Sequence, residues 1–299
     1  MKANKKLSVL RSVKFLNRQT LDNLYKLTVR SLIDYSLPLY YNSLRQTEKI
    51  RLDNIQYQAA KIVTGAYNFT NKQKLNEELQ WETIKCRADI LGLNIFHKIH
   101  VKETRPLIRN CMPEINWNRR INLRLKGGYM PFKSKNDRFL KSFFPYYSKL
   151  WNSIENDITG KNFEEFKIYT KSLKPKKVKH FSRGNKITNS QLTRIRVGRS
   201  DLNHHKFTIG LIDSPECLCH YKEESTKHYF MDCFLYTQER DFLFKLIGHY
   251  IPKFQKMKKS EQLNIILLGL NFENDEFSHL NTIITKAVQN YINKTKRFE

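Results

Sequence analysis

The sequence predicts a mainly α protein: a helical bundle toward the N-terminus and a small C-terminal helical module held together by a metal ion. Three observations lead there. Apolar residues recur at helical spacing through much of the chain, and few stretches alternate strictly, so strands are expected to be minor. Hydrophobic residues make up 40% of the 299, enough to build a core. Three cysteines and two histidines fall within 17 residues, from Cys217 to Cys233.

The elements follow in order. A helix is expected from Thr20 to Tyr35, stopping before Pro38. After Thr47, Leu52, Ile55, Ala59 and Ile62 fall on one helical face, and Gly65 sits where a C-terminal cap would. Ile84, Ala88, Leu91, Ile95 and Ile99 repeat that geometry. Three such amphipathic helices bury their stripes only against one another, as a bundle over residues 1–105. Residues 106–173 form an irregular basic and aromatic region, interrupted by Pro106, Pro113, Gly127, Gly128, Pro131 and Pro145. Within it, helices are expected over 147–156 and 162–173. Trp151 and Phe143 are read as core. Residues 174–189 have almost no apolar content and read as a basic linker. Residues 190–299 form the cysteine–histidine domain. Ser190 is placed to cap a helix closed by Gly198, and further helices are expected over 235–247 and from Leu280 to Tyr291.

Cys217, Cys219, His228 and Cys233 form C-x-C-x8-H-x4-C, a donor set suited to tetrahedral zinc. The surrounding loop, rich in Lys and Glu, lacks the apolar surface to order itself, and a bound metal supplies that free energy. Four protein ligands leave no open position, so the site reads as structural. His220 is a rival ligand directly after Cys219, and Phe230 and Phe234 are placed to cover the site's apolar side. Cys86 falls in a helical pattern and Cys111 in a loop, and both read as ordinary thiols.

Charge is the other strong signal. Lys and Arg number 54 against 28 Asp and Glu, a net charge of +26, which points to a polyanionic partner. From Lys167 to Ser200 there are 11 basic residues and no acid. Within that run Lys174, Lys176, Lys177, Lys179, Arg183, Lys186, Arg194, Arg196 and Arg199 are the candidate phosphate contacts. A second stretch, Arg119 to Lys141, holds eight basic residues against Asp137 and is interleaved with aromatics suited to stacking bases. The run PKKVK at 175–179 also has the composition of a nuclear-import signal.

Several function classes are disfavoured. The 10 glycines form no phosphate-cradling loop, which argues against dinucleotide-binding and P-loop enzymes. There is no adjacent Asp–Asp, H-E-x-x-H or G-x-S-x-G, so no catalytic residue and no magnesium site is expected. No apolar run approaches the ~18 residues that span a bilayer, so no membrane partner is expected. The first residues, MKANKKLSVLRSVKF, do not read as a signal peptide.

Five stretches, in three regions of the chain, resemble a known family. LDNLYKLTVRSLIDYSLPLYYNS at 21–43 and LDNIQYQAAKIVTGA at 52–66 resemble the region after the polymerase palm in non-LTR (LINE-type, jockey-like) retrotransposon reverse transcriptases. SFFPYYSKLWN at 142–152 resembles a segment farther along such proteins. LTRIRVGRSDLNHHKFTIGLIDSPECLCH at 192–220 and ESTKHYFMDCFLYTQER at 224–240 resemble their C-terminal cysteine–histidine region. The resemblance implies that the N-terminal bundle is a thumb that closes over a template–primer duplex. It implies a zinc-knuckle-like element at Cys217, Cys219, His228 and Cys233. It also implies that the fingers, the palm with its catalytic aspartates and the upstream endonuclease have no counterpart here, so RNA-directed DNA polymerase activity does not carry over. The expected role is nucleic-acid binding, to RNA, DNA or both, in the nucleus or in a cytoplasmic ribonucleoprotein. Two other readings stay open on sequence: an accessory part for a polymerase palm supplied in trans, and a transposon relic without specific function.

Overall fold

The computed structural model describes residues 2–101, 106–115, 128–175, 178–270 and 277–299. Its helices in chain order are α1 (Lys2–Ser12), α2 (Arg18–Tyr25), α3 (Ser31–Asp34), α4 (Leu37–Tyr40), α5 (Gln46–Thr64), α6 (Lys72–Leu79) and α7 (Ile84–His100). Then come α8 (Pro106–Arg109), α9 (Asp137–Leu140), α10 (Phe143–Trp151), α11 (Asn156–Thr159) and α12 (Phe163–Ser172). The chain closes with α13 (Lys186–Arg196), α14 (Asn203–Phe207), α15 (Thr237–Tyr250), α16 (Lys259–Leu268) and α17 (Ser278–Lys294). Among the described residues there is no strand, only an isolated bridge between Ile115 and Tyr129. The protein is all-helical, as its periodicity predicts.

Helix boundaries follow local chemistry. The Asn17 side chain accepts from the Thr20 N–H and starts α2. The helix expected over 20–35 is realised as α2, a π turn over Lys26–Arg30, and α3. It stops at Ser36, which adopts φ +56° just before the Pro38 turn. Gly65 and Gly198, at φ +71° and +72°, occupy the left-handed positions that follow α5 and α13.

The chain divides into two compact units. One gathers Met1–Ala3, Thr28–Gln56 and Trp81–Lys176; the other gathers Asn4–Leu27, Tyr57–Gln80 and Lys177–Glu299. The expected boundary at residue 105 therefore falls inside the first unit.

In the first unit, α7 packs against α10 and α12. The core holds Leu93, Phe96, Ile99, Phe143, Tyr147, Trp151 and Phe166. Trp151 and Phe143 are buried, as the sequence predicts. The buried face of α7 is partly other than its stripe suggests: Ile95 is exposed, while Ile90, Leu93, Phe96 and His97 are buried. Rings set this face. His97 stacks on Phe166 with centroids 4.2 Å apart, and Phe96 lies 5.3 Å from Trp151. Gly92 is required by the close approach of Tyr147, whose ring would lie 2.0 Å from an added Cβ. The Tyr147 hydroxyl then donates to the Ala88 carbonyl at 2.8 Å.

In the second unit, α13, α15, α16 and α17 surround a core containing Leu192, Ile195, Tyr229, Phe230, Leu243, Val288 and Tyr291. The expected linker over 174–189 is corrected here. Val178, His180 and Phe181 are buried. The Asn189 side-chain amide donates to the carbonyls of Phe181 and Arg183 at 2.9 and 2.6 Å. A few apolar residues suffice to dock a basic segment when each fills a slot and its backbone is bonded. The following helix starts at Lys186, capped by Asn185 rather than by Ser190.

A buried ion cluster ties this unit together. Glu78, with 4% of its side chain exposed, accepts from Arg18 at 2.7 Å and from Arg196 at 2.6 and 2.9 Å. Thr193 adds a hydroxyl at 3.1 Å. Burial alone would raise the Glu78 carboxyl, but Arg196 and Arg18 outweigh it and hold it below the usual glutamate range. Its contribution to stability is therefore present above the unfolded glutamate pKa of about 4.3 and lost as pH falls through the lower folded value. Glu78→Gln, which keeps the shape but strands two buried guanidinium groups, is expected to cost about 3–5 kcal/mol in urea unfolding. A loss below about 1 kcal/mol would show that the cluster is not a support of the fold.

Candidate metal centre and basic surface

The metal centre is assembled from two short turns. At the first, Cys217 donates its N–H to the Tyr221 carbonyl and accepts from the His220 N–H at 2.9 and 2.8 Å. His220 takes φ +62° to close this turn. The tight bend lets the two thiols of a C-x-C pair face one site. At the second, His228 opens a π turn over His228–Asp232, and the Cys233 N–H returns to the His228 carbonyl at 2.8 Å. In an α-helix, residues five apart point roughly 140° away from each other. The wider i→i+5 turn brings His228 and Cys233 to the same side.

The four donor atoms lie within 4.8 Å of one another, and all four residues are buried. The Cys217 and Cys233 sulfurs are 3.8 Å apart. Zinc–sulfur bonds of about 2.3 Å in a tetrahedron imply sulfur–sulfur edges of ~3.8 Å. His228 Nε2 faces the Cys219 sulfur at 3.1 Å, while its Nδ1 is buried without a hydrogen-bond partner. Tyr221 stacks on the His228 ring at 4.4 Å and 2°, fixing its plane. Burial pushes the Cys217 thiol up to about 12, raises Cys233 and lowers His228. Burial thus favours neutral forms at all three groups, and a cation reverses that preference for the thiols. The group can hold a metal ion such as zinc.

Neighbouring residues fix the loop. Glu224, wholly buried, forms a two-pronged ion pair with Arg297 and accepts from the Asn203 N–H at 2.7 Å. Arg240 donates to the Cys233 carbonyl at 2.7 Å. His220, the rival ligand, is excluded from the group: 89% of its side chain is exposed and it pairs with Glu216. Phe230 is fully buried in the adjoining core, whereas Phe234 is 66% exposed and does not enclose the site. Cys86 lies in α7 and Cys111 follows α8, both as free thiols.

The predicted phosphate contacts separate into different roles. Arg196 is corrected: with 4% of its side chain exposed, it is bound to Glu78 and packed over the Phe181 ring. Lys186 donates to the carbonyls of Ile62 and Val63 at 3.1 and 2.7 Å, at the C-terminal end of α5. Burial, with Arg18 and Arg194 nearby, pushes its amine down to about 8. Arg194 donates to the Gly65 carbonyl and the Tyr67 hydroxyl, both at 2.8 Å, and lies 3.6 Å from Asp201. These cations complement the negative end of a helix dipole. Lys174 is 3.6 Å from Glu82, which also pairs with Arg30. Arg183 is exposed, and Arg199 is half-buried with one bond to the Gly198 carbonyl at 3.5 Å. Lys176, Lys177 and the side chain of Lys179 lie outside the described residues, as do Arg119, Arg120, Arg124, Lys126 and Gly127.

One basic surface lies outside the runs that the sequence singles out. In α1, Ala3, Leu7 and Leu10 are buried while Lys5, Lys6 and Arg11 are exposed, followed by exposed Lys14. The apolar i, i+4, i+7 spacing was the available signal. No helix among the described residues is long and apolar enough to cross a membrane. Comparison with family models, curated proteins and solved structures returned no match.

If the cluster binds zinc, removing a ligand leaves three buried donors without a cation. Cys233→Ser is expected to abolish stoichiometric zinc and broaden thermal unfolding of the second unit. The helical signal of residues 84–172 should persist. Affinity in chelator competition should rise with pH from about 6 to 8, because binding displaces thiol protons. An unchanged metal content in Cys233→Ser would remove this assignment.

Proposed function

We propose that this protein binds nucleic acid, as a part related to the thumb and cysteine–histidine region of non-LTR retrotransposon reverse transcriptases. On this reading the four-ligand centre is a structural zinc site rather than a catalytic one. The observation that carries the nucleic-acid reading is the charge imbalance. Even if each of the 28 carboxylates neutralised one cation, 26 of the 54 Lys and Arg would remain. A regular chain of phosphates supplies the matching counter-charge, with release of condensed cations as the driving force.

The exposed face of α1, with Lys5, Lys6 and Arg11, and the exposed Arg183 support this reading, since none is used in an ion pair among the described residues. The family assignment rests on the quoted sequence stretches. The cysteine–histidine spacing is the most specific of these, and its four donors converge in one buried group. The proposed partners are RNA or DNA, together with a polymerase palm on another segment or chain. These 299 residues carry no adjacent Asp–Asp with which to hold catalytic magnesium, so no polymerase step is assigned to them.

The test is binding of labelled single-stranded RNA and duplex DNA across a salt series. Binding is expected to be micromolar or tighter at low salt and to weaken linearly on a log–log plot. Lys5→Gln with Lys6→Gln and Arg11→Gln should reduce the slope by about one for each phosphate that is no longer neutralised. Absence of binding at low salt would overturn the proposal.

A further inference from the structure

A cavity of about 340 Å³ opens in the second unit between α2, the C-terminal end of α6 and the segment 178–183. Its walls combine charged, polar and apolar groups: Arg18, Asp22, Leu79, Gln80, Val178 and Arg183. That size lies within the range of small-molecule sites.

The charge balance at its wall is unusual. Arg18 is 3% exposed, and its close carboxylate partner among the described residues, Glu78, is shared with Arg196. Two buried guanidinium groups therefore rest on one carboxylate. The Arg18 Nε is buried without a hydrogen-bond partner. Burial lowers the Arg18 pKa despite Glu78, a sign that the cation is under-compensated. Asp22 also favours the Arg18 cation, but it is the smallest of these influences, it is paired with Lys26, and burial still prevails. A buried cation short of counter-charge favours entry of an anion.

A second cation stands at the mouth on a fixed backbone. The Arg183 carbonyl accepts from the buried amides of Asn189 and Gln289, at 2.6 and 2.8 Å. Gly184, at φ +93°, allows Gln289 to approach to a distance that a Cβ would block, 2.0 Å. Val178 at the other end of the segment is held by its N–H to the Gln80 side chain. The Arg183 guanidinium is exposed and has no ion pair among the described residues. Ser182 lines the same cavity.

We propose that this cavity binds the phosphate monoester of a single nucleotide, between Arg18 and Arg183. Leu79 and Val178 offer an apolar wall for the sugar or base. Gln80 and Asp22 accept from its hydroxyl or amino groups. The Asp22 carboxylate also disfavours a second or third phosphate, so a monophosphate is the expected form. The nucleotide as carrier of the phosphate rests on the nucleic-acid reading above; the anion site itself does not. The phosphate comes from the 5′ end of a strand or from a free nucleoside monophosphate.

The experiment compares 5′-phosphorylated and 5′-hydroxyl RNA octamers by fluorescence anisotropy with the full chain, with AMP and inorganic phosphate as competitors. The phosphorylated octamer is expected to bind about tenfold more tightly, the scale of a charge-assisted contact. Arg183→Gln, an exposed position whose variant is checked by circular dichroism, should erase that difference, while any weakening from the lost surface charge falls equally on both octamers. Ser182→Ala should reduce it. AMP that removes the difference assigns the site to nucleotides in general; a difference that resists AMP and phosphate assigns it to strand ends. Equal binding of both octamers, with no AMP binding by calorimetry, would overturn the cavity proposal and leave the nucleic-acid reading intact. AMP binding that Arg183→Gln abolishes, with no binding of either octamer, would keep the cavity and overturn that reading.

Discussion

The convergence of three thiols and one imidazole on a single buried point is the constraint on which the C-terminal half depends. The chain from Thr208 to Lys227 has few buried apolar side chains, yet it closes over the core of α13, α15 and α17. It does so because Cys217 and Cys219 enter from one turn and His228 and Cys233 from another. Cys217, Cys219 and Cys233 are themselves part of the hydrophobic core, so the metal site and the core are one packing unit. A metal bound there contributes on the order of 10 kcal/mol of ordering free energy, more than most small domains retain in total. The Glu224–Arg297 pair then joins this loop to the C-terminal end of the chain beyond α17.

The second unit has another polar centre at Glu78, where part of the excess positive charge of a +26 chain is taken up. Some cations are drawn inward. Arg18 and Arg196 close on Glu78, while Lys186 and Arg194 cap the end of α5. In the first unit Arg30, Arg87 and Lys174 gather around Glu82. Other cations stay exposed, among them Lys5, Lys6 and Arg11 on α1 and Arg183, and on the nucleic-acid proposal these are the ones that meet phosphates.

What the sequence revealed tracks how local each determinant is. The helical class, the Gly65 and Gly198 terminations and the Cys–His spacing all depend on residues within a few turns of one another, and they were legible. Arg196 was not, because its partner Glu78 lies 118 residues away and draws it out of the solvent-facing run to which its neighbours point. The 174–189 segment reads as a linker for the same reason: Val178 and Phe181 are too few to register as a pattern, yet each fills a slot in the core. On α7, Ile95 fits the apolar stripe and is exposed, because the aromatic partners of Phe96 and His97 come from α10 and α12. The π turn at His228 was also invisible to a reading by α-helical spacing, although it is what makes H-x4-C a workable ligand pair.

The most direct test of this account is X-ray absorption at the zinc edge on the full chain purified with the metal. The predicted shell is three sulfurs at about 2.3 Å and one nitrogen at about 2.0 Å, with no water, as a closed structural centre requires. A shell of nitrogen and oxygen ligands, or a folded chain that takes up no zinc, would contradict the claim that this cluster organises the C-terminal half.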